Sequence, residues 1–351
     1  MSTQNAQKSS TKGAVTGVVG FYLVAALSMV MANKWVLNST EVPLFFLFAQ
    51  LLIAVILFLA SNSLRLLPDK LTFNIEICKG LVPMVLLNVI GLSFSNYTLK
   101  YVDASFYQVA RGLVLPFTVC TSYIVLHSRP SLRIQLSCAI VTTGFFIGVF
   151  LDGTRVSLLG VFFGVTSSAI TSVHSVIIKR SLNIVNGSAL LLSWYQNAMS
   201  AVFLAPIVIL AGEGPSVLKM FFGVDELLQE PENLSSLKTF LGGTAITGTL
   251  GFLMSIASLL SIKVTSPITH MISSAVRGVA ASFLGMWLFH DIITTGRATS
   301  IAVILLGSVY YTWVKHQESQ PKGSASKSNY ERAPIEDVES GALKGKDSKP
   351  E

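Results

Sequence analysis

Three cations stand in stretches otherwise almost free of charge. Arg111 closes the run Phe106-Tyr107-Gln108-Val109-Ala110-Arg111, Arg277 lies near the middle of a later apolar run, and Lys34 lies near the end of the first one. No Asp or Glu stands well inside any of these runs. At the centre of a bilayer a cationic side chain costs at least about 2.5–3.5 kcal/mol, and an unpaired one is hard to keep. With no carboxylate of the chain at that depth, the simplest partner is an anionic ligand entering a water-filled cavity. Arginine suits phosphate, because its planar fork holds two oxygens at once. Plainer roles compete. Lys34 can snorkel to the nearby interface, and so can Arg111, about two turns into its helix. Arg277 is too deep for that, and its plainer role is to bond backbone carbonyls.

Polar and aromatic groups form a second set. Trp194-Tyr195-Gln196-Asn197 interrupts an apolar helix. Amides offer donor and acceptor together, which matches the edge of a nucleobase, and a tyrosine face can stack on a base or sugar. Ser255, Ser258, Thr269 and His270 add donors, as do Asn88, Ser93 and Asn96. The competing use is hydrogen bonding between helices, worth on average about 0.6 kcal/mol per contact. That use is the favoured one for Asn88, Ser93 and Asn96.

Positioning these groups falls to membrane-spanning helices. The 351 residues are 51% hydrophobic and 12% charged, with a mean hydropathy of +0.63. Soluble domains carry roughly 25% charged residues. The apolar residues come in runs of about 20, the length that crosses a ~30 Å hydrocarbon core as a helix. An all-α polytopic membrane protein is the class that fits. Spans are expected at 14–37, 43–60, 80–99, 104–126, 134–151, 157–178, 189–211, 238–261, 266–290 and 296–314. Ten spans divide into two five-helix repeats, 14–151 and 152–314, and an odd repeat inserts its second copy upside down, a common transporter plan. Leu99-Lys100-Tyr101-Val102 and Ile262-Lys263-Val264-Thr265 open the fourth and ninth spans, and each precedes an intramembrane arginine.

Lys and Arg are more frequent in the loops on the side of the termini, which predicts both tails, 1–13 and 315–351, in the cytosol. The tail from about 317 has little to bury and is expected to be disordered. Most of the net charge of +7 resides in the membrane part and its loops, so it does not point to nucleic acid. Three cysteines make no disulfide framework. The acidic loop 212–237 holds Asn233-Leu234-Ser235, an acceptor pattern for glycosylation that is frequent by chance. Gly144, Gly148, Gly160, Gly164, Gly242, Gly243, Gly248 and Gly251 allow close helix approach. There is no phosphate-cradling glycine loop and no metal-spaced ligand cluster, and the spans lack the carboxylates an intramembrane enzyme would need. The reading is therefore of a non-enzyme without catalytic residues, cofactor or metal.

The run Leu99-Lys100-Tyr101-Val102-Asp103-Ala104-Ser105-Phe106-Tyr107-Gln108-Val109-Ala110-Arg111 resembles the fourth span of the GDP-fucose transporters. Ser266-Pro267-Ile268-Thr269-His270-Met271-Ile272-Ser273-Ser274-Ala275-Val276-Arg277 resembles their ninth. Asn33-Lys34, Trp194-Tyr195-Gln196-Asn197 and Tyr311-Thr312-Trp313-Val314 also match, in collinear order over about 18–316. The wider group is the nucleotide-sugar and triose-phosphate translocators of the drug/metabolite transporter superfamily. The resemblance implies ten helices in inverted repeats, a Golgi location, with the endoplasmic reticulum membrane as the alternative that the sequence leaves open, and exchange of cytosolic GDP-sugar for lumenal GMP. It implies that Arg277 faces the phosphates and that Tyr195, Gln196 and Asn197 recognise guanine. It also places Ser255, Ser258 and His270 near base and ribose contacts, and matches Tyr22 to a first-span tyrosine. Lys34 and Arg111 complete the candidate binding set. Two departures stand out: Gln196 replaces an Asn, and the ninth-span cation is Arg rather than Lys. The Gly-Ala-Leu-Asn-Lys motif of the GDP-mannose branch is absent, which argues against GDP-mannose. A UDP-sugar, a phosphorylated metabolite, a broad exporter of neutral compounds and an embedded transferase remain as rivals. The expected partners are nucleotide sugar, nucleoside monophosphate and lipid bilayer, with a second copy of the chain as a further candidate.

Overall fold

Among the described residues of the computed structural model, every regular element is a helix. The structure describes residues 2–127, 129–151, 157–222, 231–264, 267–291 and 293–319; the side chains of 2–16, 18, 19, 126, 179, 231–236, 256–264, 267–276 and 319 fall outside the description. In chain order the helices are α1 (Ser2–Ser39), α2 (Pro43–Ser63), α3 (Ile75–Tyr101), α4 (Ala104–Gly112), α5 (Val114–Leu126), α6 (Leu132–Phe150), α7 (Leu158–Ile184), α8 (Ala189–Leu210), α9 (Gly214–Phe222), α10 (Pro231–Val264), α11 (Pro267–Phe289) and α12 (Thr295–Ser319). Among the described residues, eight segments are long and apolar enough to cross a membrane. The expected eighth and ninth spans fall in α10 and α11, where the side chains of 256–264 and 267–276 are not described. The expected disordered tail and Asn233 also lie largely or wholly outside the described residues.

Local sequence sets the helix ends. Pro43 starts α2, where its missing N–H costs nothing. Asn74, Ser131, Ser157 and Ser188 cap α3, α6, α7 and α8 by accepting backbone N–H bonds. The polar residues before the first span continue its helix back to Ser2. The expected span 104–126 is present, but it is divided into two helices. Pro116 cannot donate to the carbonyl of Gly112, so the chain closes a tight turn there instead, with Leu113 N–H on the Ala110 carbonyl at 3.2 Å. The break, at Leu113, follows Arg111 by two residues.

The helices run alternately up and down. One end of the bundle, the near end, holds both termini of the described chain. At the far end α1, α3, α6, α8 and α11 finish. The main packing pairs are α6 with α12, α3 with α7, α1 with α10, and α2 with both α8 and α10. Small residues bring the helices together. A β-carbon on Gly144 would sit 2.8 Å from Ile304, and one on Gly160 would overlap Val102. Gly242, expected to do the same, faces open space.

Candidate functional site

The break after Arg111 shapes the site. α4 is only nine residues long, and Arg111 lies in its last turn, where the helix dipole favours a cation. Its Nη1 donates to the Tyr107 hydroxyl at 2.9 Å, and the guanidinium lies over the same ring, 5.6 Å from the centroid. Ser95 on α3 holds that hydroxyl from the other side at 2.7 Å. Arg277 on α11 reaches the Tyr22 hydroxyl on α1 at 3.4 Å. Both arginines line one cavity of about 430 Å³. Its walls continue from their level toward the near end through Thr118, Ser175, Ser308, Tyr311 and Thr312. Thr118, Ser175, Ser308 and Thr312 each donate to a carbonyl four residues back, which leaves the oxygens facing outward as acceptors. The arrangement can therefore hold an anion between two guanidinium groups and hydroxyl-bearing groups beyond them.

The far end is closed by ionic and capping contacts. Arg297, only 2% exposed, pairs with Asp103 at 2.8 Å and donates to Ser105 Oγ at 3.0 Å. This ties the start of α12 to the start of α4. Asp291 accepts from the Ser105 N–H at 3.4 Å. Burial pushes its carboxyl above the usual range, and the Asp103 charge adds to the shift. Gly212, at φ 73°, turns the chain after α8 so that Glu213 lies over the start of α2. There its two oxygens accept the N–H groups of Leu44 and Phe45 at 3.0 and 2.8 Å. Burial holds the Glu213 carboxyl above its ordinary value despite these bonds.

The expected binding residues separate into groups. Arg111, Arg277 and Tyr22 come together. Lys34 does not snorkel: it is 5% exposed, and its ammonium donates to the carbonyls of Leu99 and Val102 at 2.7 and 2.6 Å, closing the end of α3. Tyr195 is fully buried, with its hydroxyl accepting the Asn74 N–H at 2.9 Å and Phe73 stacked on its ring. Gln196 donates to Asn88 at 3.0 Å, and Asn88 donates to Ser200 at 3.1 Å. Asn197 donates to its own helix at Ser193, and Ser255 to its own at Gly251. The helix-bonding role expected of Asn88 is thus present, and it recruits Gln196. Ser258 and His270 have side chains outside the described residues. Among the described residues no cluster of His, Cys, Asp or Glu forms a metal site.

Sequence reasoning missed Tyr107, Gln108 and the Asp103–Arg297 pair. Tyr107 was within reach, since it stands four residues before Arg111 on the same helix face. Arg297 looks like an ordinary loop cation and gave no signal of burial.

The profile of the Triose-phosphate Transporter family matches residues 14–312. The chain is 32% identical over 314 residues to a protein of Drosophila melanogaster named "GDP-fucose transporter, Golgi", covering 86% of this chain and 90% of the relative. It is 31% identical over 315 residues to "GDP-fucose transporter 1" of Mus musculus, covering 86% and 84%. The protein of that name in Dictyostelium discoideum is 31% identical over 311 residues, covering 86% and 81%.

Proposed function

The chain belongs to the Triose-phosphate Transporter family, whose members are transporters rather than enzymes, and from that premise we propose that it exchanges a nucleotide-linked sugar, GDP-fucose, for GMP across the Golgi membrane. The single observation that carries this reading is the cavity between Arg111 and Arg277. Two guanidinium groups on facing helices, beside neutral phenol hydroxyls, suit a diphosphate that spreads its charge over several oxygens. The names of the relatives support the guanine nucleotide and the Golgi location.

In this reading ten helices form two inverted five-helix repeats, 14–151 and 152–314. Packing supports it. Exchanging α1, α2, α3, α4–α5 and α6 with α7, α8, α10, α11 and α12 turns the α1–α10 contact into α7–α3, and α2–α10 into α8–α3. The same exchange returns α2–α8, α4–α11 and α6–α12 to themselves. The broken α4–α5 helix at the site fits the discontinuous helices of alternating-access carriers. With both termini cytosolic, the latched far end faces the lumen, and the cavity belongs to the cytosol-facing state. Tyr22, Arg111 and Arg277 hold the phosphates. Lys34 acts by positioning α3. Tyr195, Gln196 and Asn197, together with Ser255, Ser258 and His270, read the base in a state where α8 has let go of its present partners. Closing the site with no anion in it desolvates the charge of the cavity arginines, so exchange is coupled.

Counterflow in proteoliposomes tests the reading. Vesicles preloaded with GMP or UMP are offered labelled GDP-fucose, GDP-mannose and a UDP-sugar. GMP-dependent uptake of GDP-fucose above the others is the expected result. Uptake driven only by UMP or inorganic phosphate would overturn the guanine assignment while keeping the anion site. Robust efflux of GDP-fucose without any counter-nucleotide would overturn the exchange.

A further inference from the structure

Most amides inside the membrane segments are committed to the protein. Gln50 donates to Asn33 at 2.8 Å, Gln196 to Asn88, Asn88 to Ser200, and Asn96 to the Pro43 carbonyl at 3.3 Å. Gln108 is different. It lines the arginine cavity, is half-buried, and its side chain has no hydrogen-bond partner among the described residues. A primary amide offers two donors and an acceptor with two lone pairs, and leaving these idle at membrane depth is costly unless water or a ligand takes them. The position is one helical turn before Arg111, and the Gln108 side-chain amide oxygen Oε1 lies 3.9 Å from where a β-carbon on Gly278 would stand, next to Arg277. The amide is therefore placed beside both phosphate-binding groups without contributing to either.

From this placement we propose that Gln108 is a specificity-determining residue that hydrogen-bonds the sugar of the transported nucleotide sugar. The proposal rests on the exchange reading above and deepens it. Direction along the cavity decides between the two ends of the substrate. α4 runs away from the far end, so Gln108 lies on the far side of Arg111, one turn from Ala104 and Ser105, both fully buried under the Arg297 latch. Ala104 and Ser105 do not line the cavity, so Gln108 stands at its shorter end, the place for the smaller part of the substrate. Past the arginines in the other direction the cavity continues along Thr118, Ser308, Tyr311 and Thr312, which leaves the longer part for the nucleoside. The chemistry agrees. Neighbouring sugar hydroxyls each donate and accept, and an amide meets a pair of them with one donor and one acceptor, so it discriminates by the orientation of hydroxyls rather than by charge. A site with committed polar groups rejects a ligand that leaves them unpaired far more strongly than one that only fills space.

The test measures two exchanges in the same proteoliposomes, for the unaltered protein, Gln108→Ala and Gln108→Asn. GMP against GMP reports the phosphate and base contacts, and GMP against GDP-fucose or GDP-mannose adds the sugar. For Gln108→Ala the half-saturating concentration of the preferred GDP-sugar should rise about tenfold, the loss of roughly one or two hydrogen bonds. The preference between the two GDP-sugars should shrink, and GMP self-exchange should change less than twofold. Gln108→Asn, which keeps the amide, should recover part of the loss. An equal fall in GMP self-exchange, or an unchanged sugar preference beside intact GMP exchange, would overturn the role of Gln108 alone. Absence of any guanine-nucleotide exchange by the unaltered protein would overturn the parent reading and Gln108 with it.

Discussion

Two sets of cations lie in this bundle, and their surroundings differ. At the far end Arg297 is sealed to 2% exposure and paired with a carboxylate, and Lys34 is sealed against two carbonyls. At the cavity, Arg111 is exposed to the open space and meets the hydroxyl and ring of Tyr107, with no carboxylate partner among the described residues. The first set has its counter-groups in the chain and is finished without a ligand. In the second, Arg111 is held by a phenol that orients its guanidinium without supplying a carboxylate. Burial with a built-in partner serves structure, and accessibility beside a phenol is what the proposed anion site requires.

The largest expected effect tests the cavity set. Arg277→Ala and Arg111→Ala should each lower counterflow to below about a hundredth, as loss of a charge-assisted, two-point phosphate contact implies. Both variants should still elute as monodisperse protein in detergent. Near-normal exchange by either would end the contrast between the two sets.

Breaking the far-end pair should cost stability first. Asp103→Ala leaves a guanidinium that is 2% exposed without its carboxylate. The cost should be about 1–3 kcal/mol, below the ~3–5 for a fully buried pair because Asp103 is half-exposed. Arg297→Met removes the sealed charge itself and should cost less. Thermal melting of the two variants and the double mutant gives the order, and Arg297→Met melting lower than Asp103→Ala would contradict it.

A smaller effect sharpens how the cavity arginine is aimed. Pro116→Ala lets residue 116 donate to the Gly112 carbonyl, which straightens α4 into α5 and turns Arg111 away. Exchange should fall several-fold while the melting temperature holds or rises. Unchanged exchange would mean that the break does not set the aim of Arg111.

The smallest effect concerns Glu213, a sealed group of opposite sign at the far end. Because burial raises its carboxyl, the folded chain binds this proton more tightly than the unfolded chain. Its linkage contribution therefore favours folding as pH falls through the raised value and is lost as pH rises past it. Glu213→Gln should flatten the melting-temperature profile between the ordinary carboxylate range and neutrality. An unchanged profile would remove Glu213 as its source.

Much of the fold was legible because membrane helices announce themselves by length and polarity. The arginines were legible for the same reason, since each is an anomaly against an apolar run. The two-part helix at α4 and α5 was written in Gly112 and Pro116, yet a hydropathy reading passes over a proline within an apolar stretch. Lys34, Tyr195 and Gln196 stand out in the sequence as unusual, but what they engage does not. Their partners, at Leu99 and Val102, Asn74 and Asn88, stand 65 to 121 residues away, and pairings at that separation follow from packing rather than pattern. Gln108 escaped notice because an amide beside an arginine reads as part of the same motif.

The grip of Lys34 on the end of α3 also has a consequence for how the chain is made. The acceptors for its ammonium, at Leu99 and Val102, follow it by 65 and 68 residues. During synthesis the first helix emerges while those carbonyls are still unmade, so its lysine must stay with water or lipid headgroups until the third helix has entered the bilayer. Final seating of the first segment is thus deferred to the insertion of a later one. A nascent chain arrested before Val102 would display this unsatisfied cation, a mark by which an unfinished carrier differs from a completed one.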